Sequence, residues 1–496
     1  MSKNSEDSYK SALKATSLFG GVQIFNIAIR IIRSKVVAVL LGPEGMGIYG
    51  LLSSTASFVS SITSLGLGQS SIRNIAEANA SGDINKVAIV SNVLRKLVWI
   101  TGLAGSIICA VLSPYLSQIT FGNKDYTIAF ICISVSILLM QLTSGQNALL
   151  QGLQKYRGLA KSNVYGSAMG LIISLPLYYI LRLEAIVLVF VISYVISFLC
   201  AYWNARKIEI PQIKLDAKQT RDVGYDMIKL GLLMSAQGIL SQLTAYMVGV
   251  FIRREGSVDD VGLYNAGFAF VNTYIGMIFT AMSTDYYPRL TKAAVDKEKY
   301  FKTITQQVEL VLLIILPLIV AFLLFVRVIV ILLYSDRFIP VEGMIYWAMA
   351  AMTIRSLSWS LSYGLIAKGY IKSFAICEFC VIIYGFIFNL IGYKLLGLTG
   401  MGISYFAMYV VYFLHLFFVF KSKTGFIYPI IVWKFFAISA AVIGLIVSIK
   451  IFMHMLYSYL VGSVILLLTI IFCYKEIDKR VQIKEIIHNK ILSRRK

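Results

Sequence analysis

Charge is scarce in this chain: of 496 residues only 14% are Asp, Glu, Lys or Arg, against 58% hydrophobic, and the mean hydropathy is +0.77. So few polar side chains cannot clothe a water-facing surface, which excludes a soluble globule. Histidine is nearly missing, with only His415, His454 and His488, scattered along the chain. No Gly-Lys dipeptide occurs, which removes the phosphate-cradling G-x-x-x-x-G-K-[ST] loop and ATP hydrolysis by that route. The six cysteines (Cys109, Cys132, Cys200, Cys377, Cys380, Cys473) lie in or beside apolar runs, where Cys is a small buried hydrophobe. Cys377-x-x-Cys380 has no second pair and no neighbouring His, so it is a weak metal signal. The sequence offers no catalytic residue, no metal site and no cofactor site. Its polar start, Met1 to Lys14, is mixed in charge and does not read as a cleaved signal.

What the chain has instead is apolar runs of about 20 residues, each enough to cross a hydrocarbon core of roughly 30 Å as a helix. Fourteen spans can be placed, at 15–41, 46–68, 96–118, 126–149, 160–181, 184–205, 227–252, 261–287, 308–334, 342–366, 372–395, 400–420, 430–451 and 456–474. The expectation is an all-α polytopic membrane protein. Charge placement orients it. With the N-terminus inside, and residues at span ends counted with the adjoining segment, 33 Lys and Arg fall on the cytoplasmic side and 7 outside. That asymmetry puts both termini in the cytoplasm. The net charge of +22 therefore requires no nucleic acid; it is mostly this bias plus the basic tail 475–496, which suits anionic lipid headgroups.

An internal repeat divides the chain. Gly47-Ile48-Tyr49 is matched by Gly262-Leu263-Tyr264, Arg73 by Arg289, Asp83 to Lys86 by Asp296 to Lys299, and Gly152 with Lys155 by Gly369 with Lys372. Six spans per copy is an even number, so both copies enter from one side, as in transporters built from parallel repeats. The expected domains are a cytoplasmic N-terminus (1–14), a first six-helix bundle (15–205), a cytoplasmic linker (206–226), a second bundle (227–421), two added helices (422–474) and the basic tail (475–496). A repeat that closes at span 12 also predicts that the last two spans are dispensable for folding.

The run from Lys35 through Gly42-Pro43-Glu44-Gly45 to Gly47-Ile48-Tyr49, with Gly66-x-Gly68 and Arg73 after span 2 and Pro288 closing span 8, resembles the polysaccharide transporter family, the Wzx-type flippases of lipid-linked oligosaccharides. The resemblance covers about the first 420 residues. It implies the multidrug/oligosaccharidyl-lipid/polysaccharide exporter fold, two bundles around a cavity that opens alternately to either side. Fourteen spans resemble the lipid II flippase branch, where the last two helices form a groove for the lipid tail.

Polar residues inside the spans carry the chemistry. In span 1, Gln23, Asn26, Arg30 and Arg33 recur at helical spacing and share a face. An ionised Arg facing lipid costs at least about 2.5 kcal/mol, so this face must line water or another helix. The basic groups within spans are Arg30, Arg33, Lys35, Arg327, Arg355 and Lys434, and the acidic Asp285, Glu309 and Glu378 lie toward cytoplasmic ends. A guanidinium-lined cavity suits pyrophosphate, because the planar fork can grip two oxygens. It repels organic cations. The related multidrug exporters place essential carboxylates in helices 1 and 7, and this chain has none there.

The reading is a flippase, not an enzyme. It carries an undecaprenyl-pyrophosphate-linked oligosaccharide, an O-antigen or capsule repeat unit, across a bacterial inner membrane by alternating access. Candidate substrate-binding residues are Arg30, Arg33, Gln23, Asn26, Arg355, Arg253, Arg254 and Asn272. Tyr405, Tyr409 and Tyr412 share a face of span 12, which fits core packing better than sugar stacking. Expected partners are the lipid-linked oligosaccharide, membrane lipids and the glycan polymerase of the same pathway. The alternatives are a multidrug or organic-cation antiporter of the same fold, or a membrane glycan polymerase or ligase.

Overall fold

The computed structural model describes residues 3–211 and 216–481, and the regular secondary structure among them is all helical. Residues 212–215 of the expected linker and 482–496 of the basic tail lie outside the described residues. In chain order the helices are α1 (Lys3–Thr63), α2 (Leu67–Ala80), α3 (Ile84–Val111), α4 (Ser113–Phe121), α5 (Thr127–Gly152), α6 (Tyr156–Leu181), α7 (Ala185–Ala205), α8 (Ala217–Glu255), α9 (Val258–Ala269), α10 (Gly276–Ala293), α11 (Lys297–Leu324), α12 (Val326–Leu333), α13 (Glu342–Ala367), α14 (Ile371–Thr424), α15 (Ile430–Phe452) and α16 (Met455–Val481). Among the described residues nine helical stretches are long and apolar enough to cross a membrane. The chain is a multi-pass membrane protein.

Two of the long helices contain corners. In α1, Gly42 has φ 70° and ψ −168° and Pro43 follows it. The positive φ requires glycine, the residue before proline avoids the helical region, and Pro43 begins the next helical segment without an N–H to satisfy. Gly397, at φ 57°, bends α14 in the same way. Prolines within helices act more mildly: α6 continues through Pro176 and α11 through Pro317. Pro288 does not close its helix as expected, since α10 runs on to Ala293.

The helix α2 is an addition to the expected set. After α1 the chain turns through Leu65 and Gly66, both at positive φ, and α2 lays Leu67, Ser70, Ser71, Ile75 and Ala78 into the interior. A Cβ on Gly66 would collide with the Gly231 carbonyl, and one on Gly68 would come within 2.5 Å of Ser144 Oγ. At Gly66 the chain thus touches α8 backbone to backbone, whereas Gly68 makes room for the Ser144 side chain of α5.

The contacts divide the chain into two units, residues 1–262 with 333–335, and residues 263–332 with 336–496. The division falls after α8, whereas the repeat placed it in the linker 206–226. The reason is the close approach just described: α8 packs on α1 and α2 through Gly231, and Met227 joins Leu67, Ile75, Val93, Leu94 and Leu142 in one buried cluster. The repeat is nonetheless visible element by element. Asp83 caps α3 by accepting from the Asn85 and Lys86 amides, and Asp296 caps α11 by accepting from Glu298 and Lys299. The Lys299 amide, ahead of the other contacts, holds the Asp296 carboxyl below its usual range. Each capped helix is followed, after a one-residue break at Leu112 or Phe325, by a short helix, α4 or α12.

In the second unit α15 and α16 cover α11. Arg480, near the end of α16, donates through Nε to Glu309 of α11 at 2.7 Å, pairs with Glu476 at 2.8 Å, and sits over the Phe435 ring at 4.8 Å. This packing weighs against the expectation that the last two helices are dispensable for folding, because removing them uncovers α11 and strands Glu309. Arg480→Ala is expected to destabilise the protein by about 3 kcal/mol, the cost of leaving a nearly buried carboxylate without its partner. The check is the unfolding temperature of the purified protein, where Glu309→Gln added to Arg480→Ala should recover part of the loss.

Candidate functional site

Within the first unit, α1, α5, α6 and α7 enclose a cavity of about 320 Å³. Small residues shape it. Gly166 and Gly170 on α6 face Ser197 and Ser193 on α7, and a Cβ on Gly166 would lie 3.4 Å from the Ser197 Cα. Such small-residue spacing lets two membrane helices approach closely. Three members of the polar stripe on α1 reach the space, Asn26, Arg30 and Arg33. The fourth, Gln23, is exposed and lies outside the lining.

The polar groups in this cavity are only partly satisfied. Arg33 donates through Nη2 to Ser193 Oγ at 2.6 Å, and Ser167 donates to Asn26 Oδ1 at 2.9 Å. Arg33 Nε and Asn147 Oδ1 are buried without a hydrogen-bond partner. No carboxylate lines the space, and among the described residues neither Arg30 nor Arg33 enters an ion pair. The cavity therefore holds two guanidinium groups with uncompensated charge, one of them with a free N–H. Buried polar groups are normally bonded, so this arrangement is suited to an incoming acceptor.

The other expected ligands lie apart from this cavity. Arg253 is committed to the protein itself. Its Nε donates to the Thr120 carbonyl at 2.9 Å and its Nη2 to the Ile119 carbonyl at 3.2 Å, where a cation meets the last carbonyls of α4. These bonds give Arg253 a structural role in holding the end of α4, apart from the cavity of Arg30 and Arg33. Arg254, beside it, is exposed and outside the cavity. In the second unit the Arg355 guanidinium sits between the rings of Phe279 at 5.0 Å and Tyr409 at 5.8 Å. Tyr405 and Tyr409 meet edge to face, and Tyr412 is buried, donating to Glu378 at 2.5 Å and sharing a hydrogen bond with Ser362 at 2.9 Å. The tyrosine face thus packs around Arg355 and Glu378. Asn272 is exposed within a π-helical turn, Phe270–Ile275, and accepts from the Tyr405 hydroxyl at 3.4 Å. Sequence reasoning missed Asn147, Asn163 and Ser193 in the lining, although each has a polar residue four positions away on the same helix face that also lines the space, Thr143, Ser167 and Ser197 respectively.

Comparison with known proteins places this architecture. A Shigella flexneri protein described as "Putative O-antigen transporter" is 25% identical over 292 residues, covering 58% of this chain and 68% of that protein. The lipid III flippase of Escherichia coli (strain K12) is 20% identical over 410 residues, covering 81% of this chain and 96% of its own. Among solved structures the lipid II flippase MurJ superposes with a TM-score of 0.65 at 12% identity, over 94% of this chain and 99% of that one, and so shares the fold. These relatives are named for moving molecules rather than transforming them. Residues 36–342 match the family model for polysaccharide biosynthesis proteins, well over half of the sequence, and the chain belongs to that family.

Proposed function

We propose that the protein is a flippase that carries an undecaprenyl-pyrophosphate-linked oligosaccharide, an O-antigen or capsule repeat unit, across the bacterial inner membrane. The observation that carries this reading is the pairing of Arg30 and Arg33 in a membrane-embedded cavity that contains no carboxylate. Its volume, about 320 Å³, is at the small end of ligand pockets. It fits a phosphate-bearing headgroup rather than a whole repeat unit. The guanidinium forks would hold phosphate oxygens by charge-assisted hydrogen bonds, with Asn26 and Asn147 beside them. No bond is made or broken. Alternating access would expose the headgroup on either side while the lipid tail stays in the bilayer. The names of the relatives support the substrate class, and the pathway's glycan polymerase would be the acceptor.

The test is thermal protection of the purified chain. Undecaprenyl pyrophosphate should raise the unfolding temperature, and undecaprenol, which lacks the phosphates, should not. Protection by an organic cation in place of the pyrophosphate lipid would return the protein to the multidrug antiporters.

The same reading assigns fourteen spans with both termini in the cytoplasm, supported by the charge asymmetry. Single cysteines at Ser81 and Lys218 are expected to be shielded from a membrane-impermeant thiol reagent in intact cells. Those at Asn123 and Asp259 are expected to react. Labelling at Ser81 in intact cells would reverse the orientation.

A further inference from the structure

A second cavity in the first unit, of about 310 Å³, lies between α3, α5 and α7 and the segment 206–210 that follows α7. It shares no lining residue with the cavity of Arg30 and Arg33. Its lining carries two guanidinium groups, the half-buried Arg95 and the exposed Arg206, and no acid. Among the described residues neither enters an ion pair. The rest of the wall is largely apolar: Ile208 and Ile210 pack against the buried cluster of Val98 and Leu142. Asn92 fastens the segment over the helix ends by donating to the Pro211 carbonyl at 3.3 Å.

The mouth is lined by the exposed rings of Trp99 and Tyr202, and Lys207 sits over the neighbouring Trp203 at 5.5 Å. Aromatic rings and cations at helix ends mark the headgroup level of a bilayer, on the cytoplasmic side in the topology proposed above.

We propose that this cavity is a binding site for an anionic phospholipid of the cytoplasmic leaflet, with the headgroup phosphate held between Arg95 and Arg206 and the first part of an acyl chain lying along Ile208, Ile210 and Leu142. A basic pocket between membrane helices on that side matches such a headgroup in both charge and depth. The apolar wall favours a lipid over a soluble phosphate, which would leave that wall facing water. The opening beside exposed aromatics, apart from the Arg30 and Arg33 cavity, favours a resident bilayer lipid over the transported one.

The test uses the full chain in phosphatidylcholine vesicles containing brominated phosphatidylglycerol or, at the same fraction, brominated phosphatidylcholine. Quenching of Trp99 is read as the difference from Trp99→Phe. Phosphatidylglycerol is expected to be preferred, with about a fivefold loss of preference for each arginine replaced by glutamine. Lys96→Gln, next to Arg95 but outside the lining, should keep the preference. If the Arg95→Gln/Arg206→Gln chain fails to fold, Arg206→Gln alone carries the test, since Arg206 is exposed. A wild-type chain without preference, or a preference that survives replacement of the arginines, overturns the site. Loss of the preference on adding inorganic phosphate, at constant ionic strength, would assign it to soluble phosphate and overturn the lipid. None of these readings depends on glycan export, so the flippase proposal and this one can fail separately.

Discussion

Arg33→Ala is expected to cut glycan at the cell surface by about a hundredfold, the loss of about 3 kcal/mol of charge-assisted binding, while the protein persists in the membrane. Both halves follow from the surroundings of the side chain. The guanidinium has Ser193 as its recorded partner and an Nε that bonds to nothing, so its removal strands one hydroxyl, a cost of about 1 kcal/mol. Had it been paired with a buried carboxylate, the cost would be several times larger and the protein itself would disappear. Arg33→Lys should restore only part of the export, because it keeps the charge and loses the fork. Arg30 is more exposed, and its alanine variant should fall by about tenfold, as expected of a less desolvated contact. Measuring surface glycan and membrane protein together decides it, and normal export by Arg33→Ala would remove the residue from the substrate's path.

The polar stripe was legible because it lies on one helix. Asn26, Arg30 and Arg33 follow at spacings that bring them to one face, and that periodicity is local. What the face meets is not local. The family resemblance implies a cavity between two bundles, whereas the stripe here lines a cavity with α5, α6 and α7 of its own unit. The small residues that allow this, Gly166 and Gly170 opposite Ser197 and Ser193, look like ordinary membrane-helix composition until the helices are paired. Gln23 keeps the spacing but is exposed, because a helix face continues past the cavity it lines.

Other gaps have equally particular causes. The buried face of α2 includes Ser70, Ser71 and Ala78, so apolar periodicity does not reveal it. The role of Arg253 depends on α4, a helix of nine residues hidden inside what reads as the end of one long span. The continuation of α16 beyond Tyr474 was open to sequence reasoning, since Glu476 is followed by Lys479 and Arg480 at the i+3 and i+4 positions that stabilise a helix. The capping pair Asp83 and Asp296 was seen as a repeat, and its physical meaning is the matched helix start.

The repeated glycines carry the remaining large effect. Gly47, in the segment of α1 after the corner, and Gly262, in α9, were matched in sequence as copies of one element, and in the first unit they form one crossing. A Cβ on Gly47 would collide with the Val258 carbonyl and come within 2.8 Å of its side chain; one on Gly262 would collide with the Pro43 carbonyl and come within 2.9 Å of the Gly47 amide nitrogen. The obstructing atoms are backbone and cannot rotate away, so any side chain forces the two helices apart. Gly262→Val is therefore expected to cost on the order of 4 kcal/mol, in the range reserved for overpacked interiors, and to lower the amount of folded protein in the membrane by tenfold or more. Gly47→Val should do the same. Gly444, in α15, has nothing within 4 Å of where a Cβ would stand, and Gly444→Ala should be neutral or stabilising by up to about 1 kcal/mol through helix propensity alone. Membrane level and unfolding temperature of the three variants separate backbone contact from a general intolerance of substituted glycines: if Gly262→Val accumulates and exports glycan as the wild type does, the crossing is loose enough to open, and backbone contact there is not what holds these helices together.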